Sequence, residues 1–358
     1  MNNLVIYIFI FSLVLFFYLH ICFQYKKSND LEIYELDNIS KEKLEEITNL
    51  KQPLLFNYNN DLQNICKKQS LLDKYGVFDV KIRDVKNKIK DDDELYVPLK
   101  LVNSLRAIEN DKNSKFLTEN NMEFIEETNL IKKFRYNDIF LRPYFIQSCN
   151  YDICIGSNDC VTPLKYDLNC RNYLLVNEGS VNIKLFPPKY SKYLHCIKDY
   201  ENFEFRSEIN PWNVESIYKN DFEKVKCINL ELKPDRILSI PPFWWYSIKF
   251  NNDTSVCFFK YKTFMNFIAI SPQLFMKFLQ MKNVKRLNFS RVKNNVNINN
   301  VNDNVNDNVN DNVNNNVNNN INDNVNNNVN DNVNDNINDN VNNNINDNVN
   351  NNINDNSI

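Results

Sequence analysis

Histidine is the residue this chain most lacks: there are two in 358 residues, His20 and His195. His20 falls inside an apolar run and His195 in a polar stretch, Tyr193-Leu-His-Cys196, where a solvent-exposed position is expected. That shortage counts against iron centres of the non-haem type, which hold the metal with two imidazoles and one carboxylate on one face. Glycine is nearly as scarce, with three residues, so turns must rely on Asn, Asp and Pro. Nine cysteines are present, and Cys149, Cys154 and Cys160 cluster, but with no CxxC and no paired histidine. A zinc site is therefore not expected, and scattered reduced core thiols are. No basic stripe with interleaved aromatics is found, so nothing points to nucleic acid. Asn-x-Ser/Thr triplets start at Asn38, Asn252 and Asn288 and matter only for a lumenal domain.

The N-terminus carries what the rest lacks. Leu4 to Cys22 is a 19-residue run without a formal charge. As a helix it reaches roughly 28 Å, the hydrocarbon thickness of a bilayer. A cleaved signal peptide is the rival, but the run has no basic n-region before it and no small-x-small cleavage site after it. A retained single-pass membrane anchor over residues 1–27 is expected, touching lipid through residues 4–22. Tyr18 and Tyr25 suit interfacial positions, and Lys26 and Lys27 favour a cytoplasmic C-terminal domain.

The C-terminus is equally distinct. From Val301 to Ile353 an aliphatic residue recurs at every fourth position among Asn and Asp. A four-residue period drifts about 40° per repeat on a helix, so no stable apolar stripe forms. A disordered low-complexity tail is expected over 291–358. After Lys293 there are nine aspartates and no Lys or Arg, so a net charge of −3 for the chain hides a body near +6.

Residues 28–290 are enough for one sizeable core. Helical segments are expected at Lys41–Leu50, Leu62–Tyr75, Pro98–Ala107 and Asn120–Glu127, with strands at Pro53–Tyr58 and Phe78–Ile82. Beyond Phe134 the pattern turns to β. Arg171–Asn177 and Val181–Phe186 are expected as a strand pair flanking a Glu178-Gly179 turn, and Val181, Ile183 and Leu185 alternate as a buried face. Strands follow at Lys226–Leu232, Ile237–Ile240, Trp245–Phe250 and Ser255–Tyr261. Phe264–Met281 reads as a closing helix, amphipathic enough to cover a barrel face. Many short strands punctuated by Pro and Asn favour a sandwich or jelly roll.

Two segments carry a resemblance. Val161-Thr-Pro-Leu-Lys-Tyr-Asp167, Asn172-Tyr-Leu-Leu, Gly179 and Leu185-Phe-Pro-Pro188 are followed by Leu238-Ser-Ile-Pro-Pro-Phe-Trp-Trp-Tyr246. In that order, over about residues 45–280 and with Lys51-Gln-Pro53 and Phe140-Leu-Arg-Pro143 ahead, they resemble the JmjC/cupin-like oxygenases, most closely the asparaginyl-hydroxylase-like branch. The resemblance implies a mainly β fold with flanking helices, a double-stranded β-helix. It also implies Fe(II) and 2-oxoglutarate as cofactors and protein hydroxylation or demethylation as the chemistry.

The same resemblance places the metal histidines on Lys165 and Tyr246, keeps the carboxylate as Asp167, and puts the cosubstrate lysine on Val181, with Lys184 three residues on. Thr162 and Asn172 match cosubstrate-holding positions, and the usual Gly-Asp before the last strand is replaced by Pro234-Asp235-Arg236. A protonated ammonium has no lone pair to offer a metal. Lys165 is expected to pair with Asp167 as a fixed charge in the metal's place, and Tyr246 to be a hydrogen-bonded phenol. Of Phe243, Trp244 and Trp245, one side is expected to fill the core and the other to line the old cavity. Two functions follow: a membrane-anchored, catalytically degenerate cupin-like protein that binds or scaffolds a protein partner with no cofactor, or a working 2-oxoglutarate hydroxylase with atypical ligands.

Overall fold

The structure is a computed structural model and describes residues 2–86 and 95–282; the tail expected at 291–358 lies outside the described residues. The chain opens with α1 (Asn2–Gln24), β1 (Tyr34–Leu36), α2 (Lys41–Asn49), β2 (Leu54–Asn57), α3 (Leu62–Ile65) and α4 (Lys68–Tyr75). Next come β3 (Asp79–Asp84), β4 (Val97–Lys100), α5 (Leu101–Glu109), β5 (Phe116–Thr118), α6 (Met122–Glu127) and α7 (Ile131–Asn137). The β-rich part holds β6 (Ile146–Ile155), β7 (Lys165–Tyr166), β8 (Arg171–Glu178), β9 (Val181–Phe186), β10 (Cys196–Asp199), β11 (Glu204–Ser207), α8 (Lys219–Phe222) and β12 (Ile228–Leu232). It closes with β13 (Arg236–Ile240), β14 (Trp245–Phe250), β15 (Ser255–Thr263), α9 (Phe264–Ala269) and α10 (Ser271–Met281).

Two six-stranded sheets dominate, ordered β1-β2-β13-β8-β15-β6 and β10-β11-β7-β14-β9-β12. Apart from the parallel β1/β2 pair, neighbours in both run antiparallel. The period-two alternation of a strand sorts the side chains into layers. On β15, Val256 and Phe258 enter the space between the sheets, where they meet Ile183, Leu185 and Ile248 of the second sheet. Cys257, Phe259 and Tyr261 point the other way, into a core shared with helices α2 to α7. That helical layer is tied down by Asp138, whose Oδ2 accepts hydrogen bonds from Tyr151 (2.7 Å) and Tyr261 (2.8 Å).

Four local expectations differ from what is seen. The helix expected at Leu62–Tyr75 is split into α3 and α4. Pro98 belongs to β4, and α5 starts only at Leu101. Phe264–Met281 is two helices, broken at Ile270 ahead of Pro272, which enters the first turn of α10. The largest difference concerns β8 and β9. They flank Gly179 as expected but do not pair with one another, because each belongs to a different sheet. Gly179 (φ +72°) is where the chain crosses between sheets, and a Cβ there would lie 2.5 Å from Thr254 Oγ1.

Helix α1 is apolar on all sides and largely exposed, with Phe17, His20, Ile21 and Gln24 half-buried, and it is long enough to cross a membrane by length and composition; an N-terminal signal sequence meets the same criteria.

Candidate functional site

The inter-sheet space is apolar at one end and charged at the other. Along β14 and β15 the inward residues run from Phe250 and Val256 to Tyr246 and Lys260, so the polar end gathers around β7. Lys165 on β7 is the direct cross-strand partner of Tyr246 on β14 and of Arg206 on β11. The positions to which the resemblance assigns the metal histidines are thus brought side by side, with Asp167 one step beyond β7.

Asp167 is held from two sides. Its Oδ2 accepts a hydrogen bond from the Tyr246 hydroxyl at 2.7 Å, and its Oδ1 lies 3.2 Å from the Lys260 ammonium. The expected Lys165–Asp167 pair is not the direct contact. Lys165 instead bonds directly to Glu119, with Glu204 Oε1 3.9 Å away. Arg83 completes the cluster, its Nη1 lying 3.2 Å from Glu119 Oε2 and 2.9 Å from Glu204 Oε1. Four cations, Arg83, Lys165, Arg206 and Lys260, therefore meet Glu119, Asp167 and Glu204, with Arg206 Nη1 3.5 Å from Glu204 Oε2 and 3.6 Å from Asp199. A network of such pairs offsets part of the cost of taking the charges out of water.

The electrostatics follow from burial and these contacts. Burial pulls the Lys165 ammonium down to about 8 against the opposing pull of Glu204 and, at longer range, Asp167. Burial works against the Asp167 charge, but Lys260, Lys165 and the Tyr246 hydrogen bond outweigh it and hold the carboxyl below its usual value. Glu204 is lowered in the same way, chiefly by Arg83 against burial. Burial would also lower Lys260, yet Asp167 and Asp152 raise it. Tyr246 is pushed well above the ordinary phenol value by burial first and by Asp167 second, so it stays a neutral donor. Asp152 lies on the same face of β6 as Cys154 and accepts from the Asn120 and Asn121 amides, 2.8 Å each, while burial raises its pKa.

The remaining sequence candidates lie apart from this cluster. The Thr162 hydroxyl accepts from the Ile248 amide at 2.9 Å, and Asn172 donates to the Ile240 carbonyl at 3.3 Å while accepting from Asn169. Lys184 is on the opposite face of β9 from Val181, Ile183 and Leu185; it caps the Pro211 carbonyl at 2.9 Å and sits 4.6 Å over Trp212. Its side chain is thus turned away from the inter-sheet space that Val181, Ile183 and Leu185 face. His195 is exposed, its Nε2 3.1 Å from Asp221 Oδ2. Trp244 and Trp245 are both fully buried, one between the sheets and one with Leu164, Phe186 and Leu194. The two therefore lie on opposite faces at the start of β14, with Trp244 on the inter-sheet side. Among the described residues, no group of three or more His, Cys, Asp or Glu is placed to hold a metal.

Arg83, Glu119, Glu204 and Lys260 were not picked out from the sequence. Lys260 left a signal, since it stands in the apolar strand Val256-Cys-Phe-Phe-Lys-Tyr261 in phase with the inward Val256 and Phe258. The other three come from β3, the segment after β5 and β11, and nothing local marks them as neighbours.

Residues 36–267 match the family described as the cupin-like domain. The chain belongs to that family. The match covers most of the two-sheet body and places this cupin-like domain in the cupin/JmjC superfamily. No curated protein matches the chain.

Proposed function

We propose that this is a membrane-anchored cupin-like protein whose β domain binds or scaffolds a protein partner and carries no oxygenase chemistry. The two packed sheets are read as a double-stranded β-helix, and the motif order favours the asparaginyl-hydroxylase-like branch. One observation carries the reading: both positions that would present imidazoles hold side chains committed elsewhere, Lys165 to Glu119 and Tyr246 to Asp167. The residues present do not fit Fe(II) and 2-oxoglutarate. Lys165 is largely protonated at neutral pH and has no lone pair to give. Tyr246 resists becoming a phenolate, and both Asp167 oxygens have partners. The position of the cosubstrate lysine is the buried apolar Val181. The ion cluster holds the two sheets and β3 in register at the point where a metal would otherwise do so.

The membrane part of the reading rests on α1 and on the surface beside it. α9 packs against α1, and the apolar residues Phe275, Met276, Phe278 and Leu279 of α10 face outward, whereas Gln273, Lys277 and Gln280 are half-buried. An outward apolar face suits a surface resting in the headgroup region of a bilayer. Lys26 and Lys27 favour a domain on the cytoplasmic side.

Anaerobic reconstitution of the full chain with Fe(II) and 2-oxoglutarate tests the proposal. Metal content well below one equivalent, and no oxygen-dependent formation of succinate, is the expected result. Stoichiometric iron with turnover would overturn it in favour of a hydroxylase with atypical ligands.

A further inference from the structure

Between the C-terminal half of α1 and the body lies a cleft of about 790 Å³, within the range of small-molecule sites. Phe16, Leu19 and Phe23 of α1 form one wall, and Phe145 and Phe264 belong to the facing side. Phe145 is 86 % exposed, a large apolar side chain with nothing packed over it. The polar end has a different character. Lys51 lines it and is 4 % exposed, and its backbone is fixed in the left-handed region (φ +63°) with the carbonyl taken by Trp244 Nε1 at 3.2 Å.

Among the described residues no carboxylate lies within ion-pair distance of the Lys51 ammonium, which sits 5.3 Å over the Phe23 ring. The nearby Glu45 is already taken by Arg171 and by Lys41. Arg171 and Lys26 add further positive charge and, with burial as the main cause, hold Lys51 down to about 8. Gln24, also lining the cleft, has a buried Oε1 without a hydrogen-bond partner. A buried lysine without a counter-charge, at the end of an apolar slot, is short of an anion.

We propose that this cleft binds an anionic amphiphile, with its carboxylate or phosphate headgroup on Lys51 and its alkyl chain between α1 and Phe145/Phe264. The chemistry of the walls selects an alkyl chain, and the net positive charge around Lys51, Arg171, Lys41 and Lys26 against Glu45 selects an acid. The reading of α1 as a membrane span enters only through the source of the ligand, because a span would open the slot to lipid.

The test uses the full chain in phosphatidylcholine nanodiscs, with native mass spectrometry reporting bound mass. One arm titrates a long-chain fatty acid, a second adds phosphatidic acid to the disc, and a third adds inorganic phosphate. Saturable one-to-one binding of the fatty acid or of phosphatidic acid is expected, the arm that binds identifying the source. Lys51→Met should weaken it about tenfold or more, the loss of one charge-assisted hydrogen bond. Lys51→Arg should restore most of it, and Phe145→Ser, on an exposed position, should weaken it without affecting the fold. Binding that is unchanged in Lys51→Met, non-saturable, or matched by inorganic phosphate would overturn the proposal. The same spectra give the intact mass: loss of the α1 segment would defeat the anchor reading, whereas an intact chain that binds no amphiphile would defeat only this one.

Discussion

Lys260 decides the state of Asp167, because it is the cation in direct contact with that carboxylate, while Lys165 is spent on Glu119. Replacing it with an isosteric apolar residue leaves a mostly buried carboxylate whose only direct partner is the Tyr246 phenol, with Lys165 acting at longer range. Lys260→Met is therefore expected to cost about 2–4 kcal/mol, read as a shift in the urea midpoint at neutral pH. The pH dependence has a definite sign. Asp167 has a folded pKa below the unfolded value of 3.8, so its contribution is complete above 3.8 and is lost as pH falls through the folded value. In Lys260→Met the folded value rises, and the acid limb of the stability curve is expected to move to higher pH. A second expectation concerns the metal. The double change Lys165→His/Tyr246→His supplies two imidazoles but leaves Lys260 on Asp167. It is expected to bind less than one equivalent of Fe(II) by elemental analysis, and adding Lys260→Met is expected to raise that content.

At the scale of elements, Gly179 sets where the chain leaves one sheet for the other. Gly179→Ala meets Thr254 Oγ1 and the Asp253 and Asn252 carbonyls at 2.5–2.9 Å in a backbone region that a Cβ disfavours. It is expected to destabilise by more than about 1 kcal/mol in chemical denaturation. Phe275→Ser/Phe278→Ser, on the outward face of α10, is expected to leave stability within about 0.5 kcal/mol of the parent. A tryptophan placed at Phe278 is expected to be quenched by brominated lipid in proteoliposomes. These elements also mark what the sequence could and could not convey. Strands β9, β14 and β15 were legible because their apolar residues alternate against a buried layer. The β8/β9 relation was not, since a turn glycine between two strands is equally compatible with a hairpin and with a crossing between sheets. The apolar stripe of α10 was legible, but amphipathicity does not say whether that stripe is turned inward. Asp167, Lys165 and Tyr246 could be placed near one another by motif order. Their true partners could not, because Arg83 and Glu204 are 121 positions apart and meet only through the tertiary fold.

For the whole molecule the open choice is between a span and a removable leader, and the rest of the architecture bears on it. If α1 were removed, the cleft would lose the wall carrying Phe16, Leu19 and Phe23, and the Tyr25 hydroxyl bond to the Ala269 carbonyl (2.5 Å) would depend on where cleavage falls. The ring of Tyr25 also stacks on Phe243 (6.0 Å between centroids), and Lys27 lies 4.8 Å over that same ring. The segment just after α1 is thus built into the body at Phe243, next to the Trp244-Trp245-Tyr246 run that lines up with Lys165 and Tyr166. Under the anchor proposal, the Tyr25 and Lys27 contacts just after α1 hold the domain at a fixed distance from the bilayer. Membranes from cells making the full chain are therefore expected to retain it after carbonate extraction at alkaline pH, with an intact mass that includes residues 4–22. Release into the carbonate supernatant together with a mass lacking those residues would identify a cleaved leader instead. Release with the mass intact would mean that α1 is associated with the body but does not span the bilayer.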